Sequence, residues 1–156
     1  DCRQAQVPST HLKQRRADSS EPMLEIARQQ NFSHVTFHNE NILSSSFTSY
    51  SFDAILCNRL FHHFTEPEVR YKALRELRRL CKPNGRIVIS FFCNLSLSAA
   101  LFHFKNSLKT QKAQDRIPIS YYRFSHEIEA AGLTIHKIVP AQLGISPQWY
   151  LALSLN

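Results

Sequence analysis

Apolar and polar positions divide the chain into short alternating runs. Met23, Leu24, Ile26 and Ala27 recur at helical spacing. Ser19 or Ser20 can cap that helix, Glu21 suits its positive end, and Pro22 is tolerated in the first turn. The helix is predicted to stop near Gln30 and Asn31. His34 to His38 alternates and is rich in β-formers, which predicts a short strand. Leu43 to Ser51 is a serine-rich connection. Phe52 to Asn58 is an apolar run ending on a polar residue, and a loop with Phe61, His62, His63 and Phe64 follows.

Thr65 and Glu68 have the spacing of a capping box, with Pro67 in the first turn. Val69, Ala73, Leu77, Leu80 and Cys81 then form an apolar stripe, and Arg70, Lys72, Arg75, Arg78 and Arg79 take the other faces. Pro83-Asn84-Gly85 ends the helix with turn chemistry. Ile87 to Phe92 is almost wholly apolar, as in a strand covered on both faces. Leu97 to Leu108 reads as a helix with Leu97, Ala100, Leu101, Phe104 and Leu108 on one side. Ser125 is placed to cap a short helix through Ala131, with Gly132 as its C′ glycine. Leu133 to Val139 and Trp149 to Leu155 are two last strands, joined by a connection compatible with an antiparallel return.

From Phe52 to Phe92 the order is strand, loop, helix, turn, strand. That is a βαβ unit, and such units build parallel sheets with ligands outside the carboxyl ends of the strands. Residues 1–17 differ. Their apolar residues Val7 and Leu12 are isolated, and Lys13, Arg15 and Arg16 form a basic cluster. The pattern predicts no strand or helix there. Residues 1–17 are read as an atypical or disordered N-terminal segment, and 18–156 as the domain.

Composition narrows the picture only in part. With 156 residues and 43% hydrophobic content the chain suits one globular domain. The net charge of +7 fits a solvated basic surface and leaves an anionic partner open. No run of about 20 apolar residues suggests a membrane span, and Asp1 to Gln6 lacks the apolar core of a signal peptide. Cys2, Cys57, Cys81 and Cys93 form no C-x-x-C pair. Reduced thiols in the cytoplasm, and no metal, are therefore expected.

The order of elements resembles the class I S-adenosylmethionine-dependent methyltransferases. Asp18 to Ala27 is similar to that family's acidic strand end and following helix. Val35 to Asn41 is similar to the strand that ends at the adenine, and Ser51 to Phe64 to the strand and loop beside the transferred methyl. Leu74 to Ser90 is similar to the helix, turn and strand that follow. The resemblance implies an α/β, Rossmann-like sheet, mostly parallel with an antiparallel C-terminal strand pair. It implies S-adenosylmethionine as cofactor and a small-molecule methyl acceptor.

On the same resemblance Asp18 would take the ribose hydroxyls, since a carboxylate can accept from both. Asn41 would accept from the adenine amine where the family commonly has Asp. Ile42 and Met23 would pack on the adenine. The backbone at Asn58 and Arg59 would meet the amino-acid half of the cofactor. His62 and His63 would face the substrate, or the loop would pack through Leu60, Phe61 and Phe64. Tyr121 and Tyr122 could line a substrate pocket or pack as a lid. No catalytic residue is named, because methyl transfer to a good nucleophile needs mainly alignment.

One departure stands out. The family's glycine-rich loop should precede Asp18 by about 20 residues, yet the glycines here are Gly85, Gly132 and Gly144. The first strand of the sheet, central in the family, is expected to be missing. The chain therefore resembles a C-terminal portion, either truncated or degenerate, with weak or no activity. The alternative is a non-catalytic remnant or protein-interaction module. Another chain could supply the missing strand, and neither a membrane nor a nucleic acid is the expected partner.

Overall fold

The computed structural model describes residues 13–30, 32–95, 118–141 and 146–156. The predicted helix at 97–108 lies outside these residues. The chain divides into two units, one to Ser45 and one from Ser46.

The first unit contains β1 (Gln14–Asp18), α1 (Glu21–Arg28) and β2 (Val35–Asn39). β1 is a correction to the sequence reading, which placed no strand before residue 18. Its five residues pair in parallel with β2, Gln14 against Val35 through Asp18 against Asn39. A strand needs a partner for its backbone groups more than it needs an apolar face. Four of the five β1 residues are exposed, so no alternation marked it. α1 begins at Ser20 as expected, but the Ser20 side chain makes no cap. Instead its backbone N–H donates to Asp18 Oδ1 at 2.8 Å. Of the predicted apolar face only Leu24 is buried, while Met23 and Ile26 are more than half exposed.

The second unit contains β3 (Phe52–Cys57), a 3-10 turn at Phe61–His63, α2 (Pro67–Leu80), β4 (Cys81–Phe92), α3 (Tyr121–Ala130), β5 (Leu133–Pro140) and β6 (Gln148–Leu155). The sheet order is β3-β4-β6-β5. β3 and β4 are parallel, whereas β6 is antiparallel to both β4 and β5. The expected antiparallel C-terminal pair is therefore present, and among the described strands two pairings are parallel and two antiparallel. Among the described residues the strands fall into two separate sheets, β1-β2 and the four-stranded one.

α2 starts one residue later than the capping box requires. Glu66 is the N-cap, Pro67 opens the helix, and no side chain caps it. The buried face is Arg70, Ala73, Leu74, Leu77 and Leu80, with Val69 only half-buried. Helical geometry puts Arg70 on the same stripe as Ala73, Leu74 and Leu77. The predicted Pro83-Asn84-Gly85 turn survives inside β4 as a register shift. Phe52 pairs with Cys81 but Ala54 pairs with Arg86, so the residues between loop out. A Cβ at Gly85 would lie 2.5 Å from Cys81 Sγ and 2.9 Å from the Asp53 carbonyl oxygen, which explains glycine there.

The expectation that β4 is covered on both faces is met in part. Ile87, Ile89 and Phe91 are buried beneath the helices, with Leu151 and Leu153 of β6 beside them. On the other face Val88 and Ala152 stay half-exposed. Phe124 ties α3 to this core, with ring centroids 4.9 Å from Phe91 and 5.2 Å from Phe61. Each such ring removes roughly 1.5–3 kcal/mol worth of apolar surface from water. α3 starts four residues before the predicted Ser125 cap, behind Ser120. Ser125 sits inside the helix and donates to the Tyr122 carbonyl at 2.9 Å. Gly132 follows at φ 77°, as a C′ glycine should.

Candidate cofactor and acceptor site

In the first unit the parallel strands end on polar residues. Asp18 closes β1 opposite Asn39 of β2, and Asn41 lies two residues further on. Asp18 uses one lone pair on the Ser20 N–H and is otherwise exposed. Asn41 Oδ1 accepts the Leu43 N–H at 2.9 Å, so this amide shapes its own turn. Ile42 is half-buried in that turn, and Met23 is 57% exposed. Glu21 accepts from Arg28 at 2.5 Å and from Asn39 Nδ2 at 2.9 Å. These bonds, Arg28 first, hold its carboxyl below the usual range.

The second unit carries a connected polar group at the corresponding strand ends. The Arg59 N–H donates to Ser90 Oγ at 2.8 Å, and Ser90 Oγ donates to Asn58 Oδ1 at 2.7 Å. Gln148 Nε2 donates to the same Asn58 oxygen at 3.2 Å and to the Tyr150 hydroxyl at 2.8 Å. β3, β4 and β6 thus each contribute. Ser90 is fully buried, and Arg59 stands at φ 56°. A non-glycine residue in that region is uncommon and must be held there by its surroundings. Ser90, Gln148 and Tyr150 were not singled out in the sequence. Gln148 and Tyr150 lie on a strand whose register is fixed only by pairing with β4, which leaves no local signal.

The histidine loop follows the packing alternative for its first histidine. Phe61 is fully buried and His62 nearly so, with its ring 4.5 Å from Phe92 and 4.0 Å from His63. His63 is exposed. The loop is fastened by Arg70. Its Nη1 donates to the carbonyls of Phe64 and Thr65, both at 2.9 Å, and its Nε and Nη2 form a bidentate pair with Glu127 at 2.8 and 2.6 Å. Tyr121 packs 6.2 Å from Trp149, whereas Tyr122 points outward and is 68% exposed. The Cys57 thiol, just before Asn58, is pushed up to about 12 by burial and is no nucleophile at neutral pH.

The sequence pattern of a methyltransferase-domain family matches residues 7–89, more than half of the chain. The chain belongs to this family. Its members use S-adenosylmethionine, and class I methyltransferases share the mixed α/β sheet described above. Magnesium protoporphyrin IX methyltransferase from Synechocystis, solved with S-adenosylhomocysteine bound, has the same fold. The TM-score is 0.75 at 15% identity, covering 91% of this chain and 64% of that one. A Haloferax volcanii methyltransferase complex containing the Trm112 activator gives 0.70 at 13% identity, covering 90% and 71%. The mouse (Mus musculus) protein named "Probable tRNA methyltransferase 9B" is 34% identical over 68 residues. Those residues are 44% of this chain and 14% of that protein's length.

Taken one by one, each in its own unit, these residues offer hydrogen-bonding groups of the kinds the family's cofactor takes. Asp18 retains acceptor capacity for hydroxyls, Asn41 retains a lone pair for an amine, and the Arg59 N–H is taken up by Ser90 Oγ. No glycine precedes Asp18 in the 156 residues, so a close backbone approach to the cofactor there lacks the residue that most readily permits it.

Proposed function

We propose that this chain serves S-adenosylmethionine-dependent methyl transfer, with the second unit forming the side on which the acceptor is aligned. The observation that carries this reading is the hydrogen-bonded chain Arg59–Ser90–Asn58–Gln148–Tyr150 at the carboxyl ends of β3 and β4. Ligands of open α/β sheets bind at that edge. The cofactor supplies a methyl group on a sulfonium. Asp18, Asn41 and the Asn58–Arg59 backbone would hold its ribose, adenine and amino-acid parts, with Met23 and Ile42 as apolar contacts. His63 and Tyr122 are exposed and would meet the acceptor, while His62 and Tyr121 support them from beneath.

A small molecule is the acceptor expected from the sequence. An RNA acceptor is the second reading, favoured by the 34% identity to a protein named as a tRNA methyltransferase and by the charge of +7. Setting nucleic acid aside therefore does not stand. The outer edge of β3, which pairs only with β4 among the described residues, is where a strand from another chain would add.

Without glycines before Asp18, the 156-residue chain alone is expected to bind S-adenosylmethionine weakly. Calorimetric titration should give a dissociation constant well above the micromolar range. Micromolar binding would show that the glycine loop is dispensable. Incorporation of radiolabelled methyl into bulk tRNA, against a panel of small amines, phenols and carboxylates, then separates the two acceptors. No incorporation into either, with no cofactor binding, would leave the non-catalytic alternative.

A further inference from the structure

We propose that Asn58 and Gln148 form a recognition edge for a neutral planar ligand carrying adjacent C=O and N–H groups, such as the lactam edge of a pyrimidine. The inference rests on the methyl-transfer reading for its biological meaning, but its geometry stands alone. It follows from which hydrogen-bonding groups the network consumes.

Asn58 Oδ1 accepts from Ser90 and from Gln148, which fills both lone pairs of that oxygen. Gln148 Nε2 spends both of its hydrogens, one on Asn58 and one on Tyr150. The orientation of both amides is thereby set. Three sets of groups remain: the two Asn58 Nδ2 hydrogens, the Gln148 Oε1 lone pairs, and the Tyr150 hydroxyl proton. Among the described residues none of them makes a hydrogen bond. Asn58 is exposed, and Gln148 and Tyr150 are half-buried, so a ligand can reach them.

The two amides are joined by the 3.2 Å bond from Gln148 Nε2 to Asn58 Oδ1, so a donor pair and an acceptor on neighbouring side chains select the ligand between them. A carboxylate or phosphate would find the Asn58 donors but would set its oxygens against Gln148 Oε1, which repels them. A ligand with one carbonyl and one N–H satisfies both amides at once. Sites built on paired hydrogen bonds discriminate strongly against analogues that lack one partner, because a polar group is left unpaired. The same edge occurs on a free nucleoside and on an unpaired base in RNA, and the two sources need separate arms.

The test follows the side-chain amide resonances of Asn58 and Gln148 by NMR in the 15N-labelled 156-residue chain, without cofactor. Uridine, 3-methyluridine and a short oligouridylate are titrated separately. Uridine or the oligouridylate should shift both amides. Uridine should bind about tenfold more tightly than 3-methyluridine, which keeps the carbonyls but lacks the N–H. Asn58→Asp should abolish the Gln148 response, and Tyr150→Phe, which frees one Gln148 hydrogen, should weaken it. A response to the oligouridylate alone assigns the edge to RNA, and a response to uridine as well assigns it to the base itself. Equal binding of uridine and 3-methyluridine would overturn the proposal, as would amides unmoved by uridine and oligouridylate alike. Tight S-adenosylmethionine binding with unmoved amides removes this edge only. A uridine response without cofactor binding removes methyl transfer and leaves the edge.

Discussion

The two units solve the same problem, ordering a parallel strand pair, by different means. Among the described residues the unit from Ser46 has a four-stranded sheet and two α-helices closed over Phe61, Phe91, Phe124, Leu74 and Leu153, all essentially inaccessible to water. In the unit to Ser45, Leu24 is the one buried apolar residue among those described. Its order comes from backbone pairing of β1 with β2 and from exposed polar contacts around Glu21. Two strands alone are marginal in water, so this unit depends on how well α1 packs on them through Leu24, and exposed ion pairs contribute little. The proposed acceptor side thus rests on a core, while Asp18 and Asn41, proposed for ribose and adenine, rest on hydrogen bonds at the surface.

The strongest way to break that contrast is at Arg70. Arg70→Ala strands the Glu127 carboxylate, which is 11% exposed, and releases the carbonyls of Phe64 and Thr65. The expected loss is about 3–5 kcal/mol, read by urea denaturation from the single tryptophan, Trp149. A loss below about 1 kcal/mol would mean that the pair behaves as a surface bridge.

Leu24→Ala should cost the first unit about 2–3 kcal/mol and leave the Trp149 transition where it was. Amide exchange should show β1 and β2 losing protection while β4 and β6 keep theirs. A joint shift of both regions would mean that the units unfold together.

The smallest effect is electrostatic. The Glu21 pKa is lowered in the folded chain, so its stabilisation is present above the unfolded value, near 4.3, and is lost as pH falls through the lower folded value. The Asn39 side-chain amide, which donates to Glu21, should report that titration by NMR. An Asn39 shift with a midpoint above about 4.3 would reverse the sign.

The sequence made the second unit legible because its strands are apolar runs and its helices carry stripes. β3, α2, β5 and β6 fall within a few residues of the expected bounds. β1 was invisible because its polar side chains say nothing about a backbone that pairs over a distance. Arg70 was assigned to an outer face because charge suggests exposure, yet Glu127 lies 57 residues away and no local pattern couples them. At the candidate site, Asn58 stands out in the sequence as the polar end of an apolar run, and the role expected of Asn58 and Arg59 comes from the family resemblance. Ser90, Gln148 and Tyr150 depended on register, which forms only in the folded sheet.

Leu56 has a consequence for the molecule in concentrated solution. It lies 70% exposed within the apolar run of β3, on a strand whose outer edge has no neighbour among the described residues. From Ala54 to Cys57 that edge carries no lysine, proline or other blocking residue. Such a strand is a template for its own kind. Self-association should rise with concentration, light scattering should follow it, and Leu56→Lys should suppress it without disturbing the Trp149 signal.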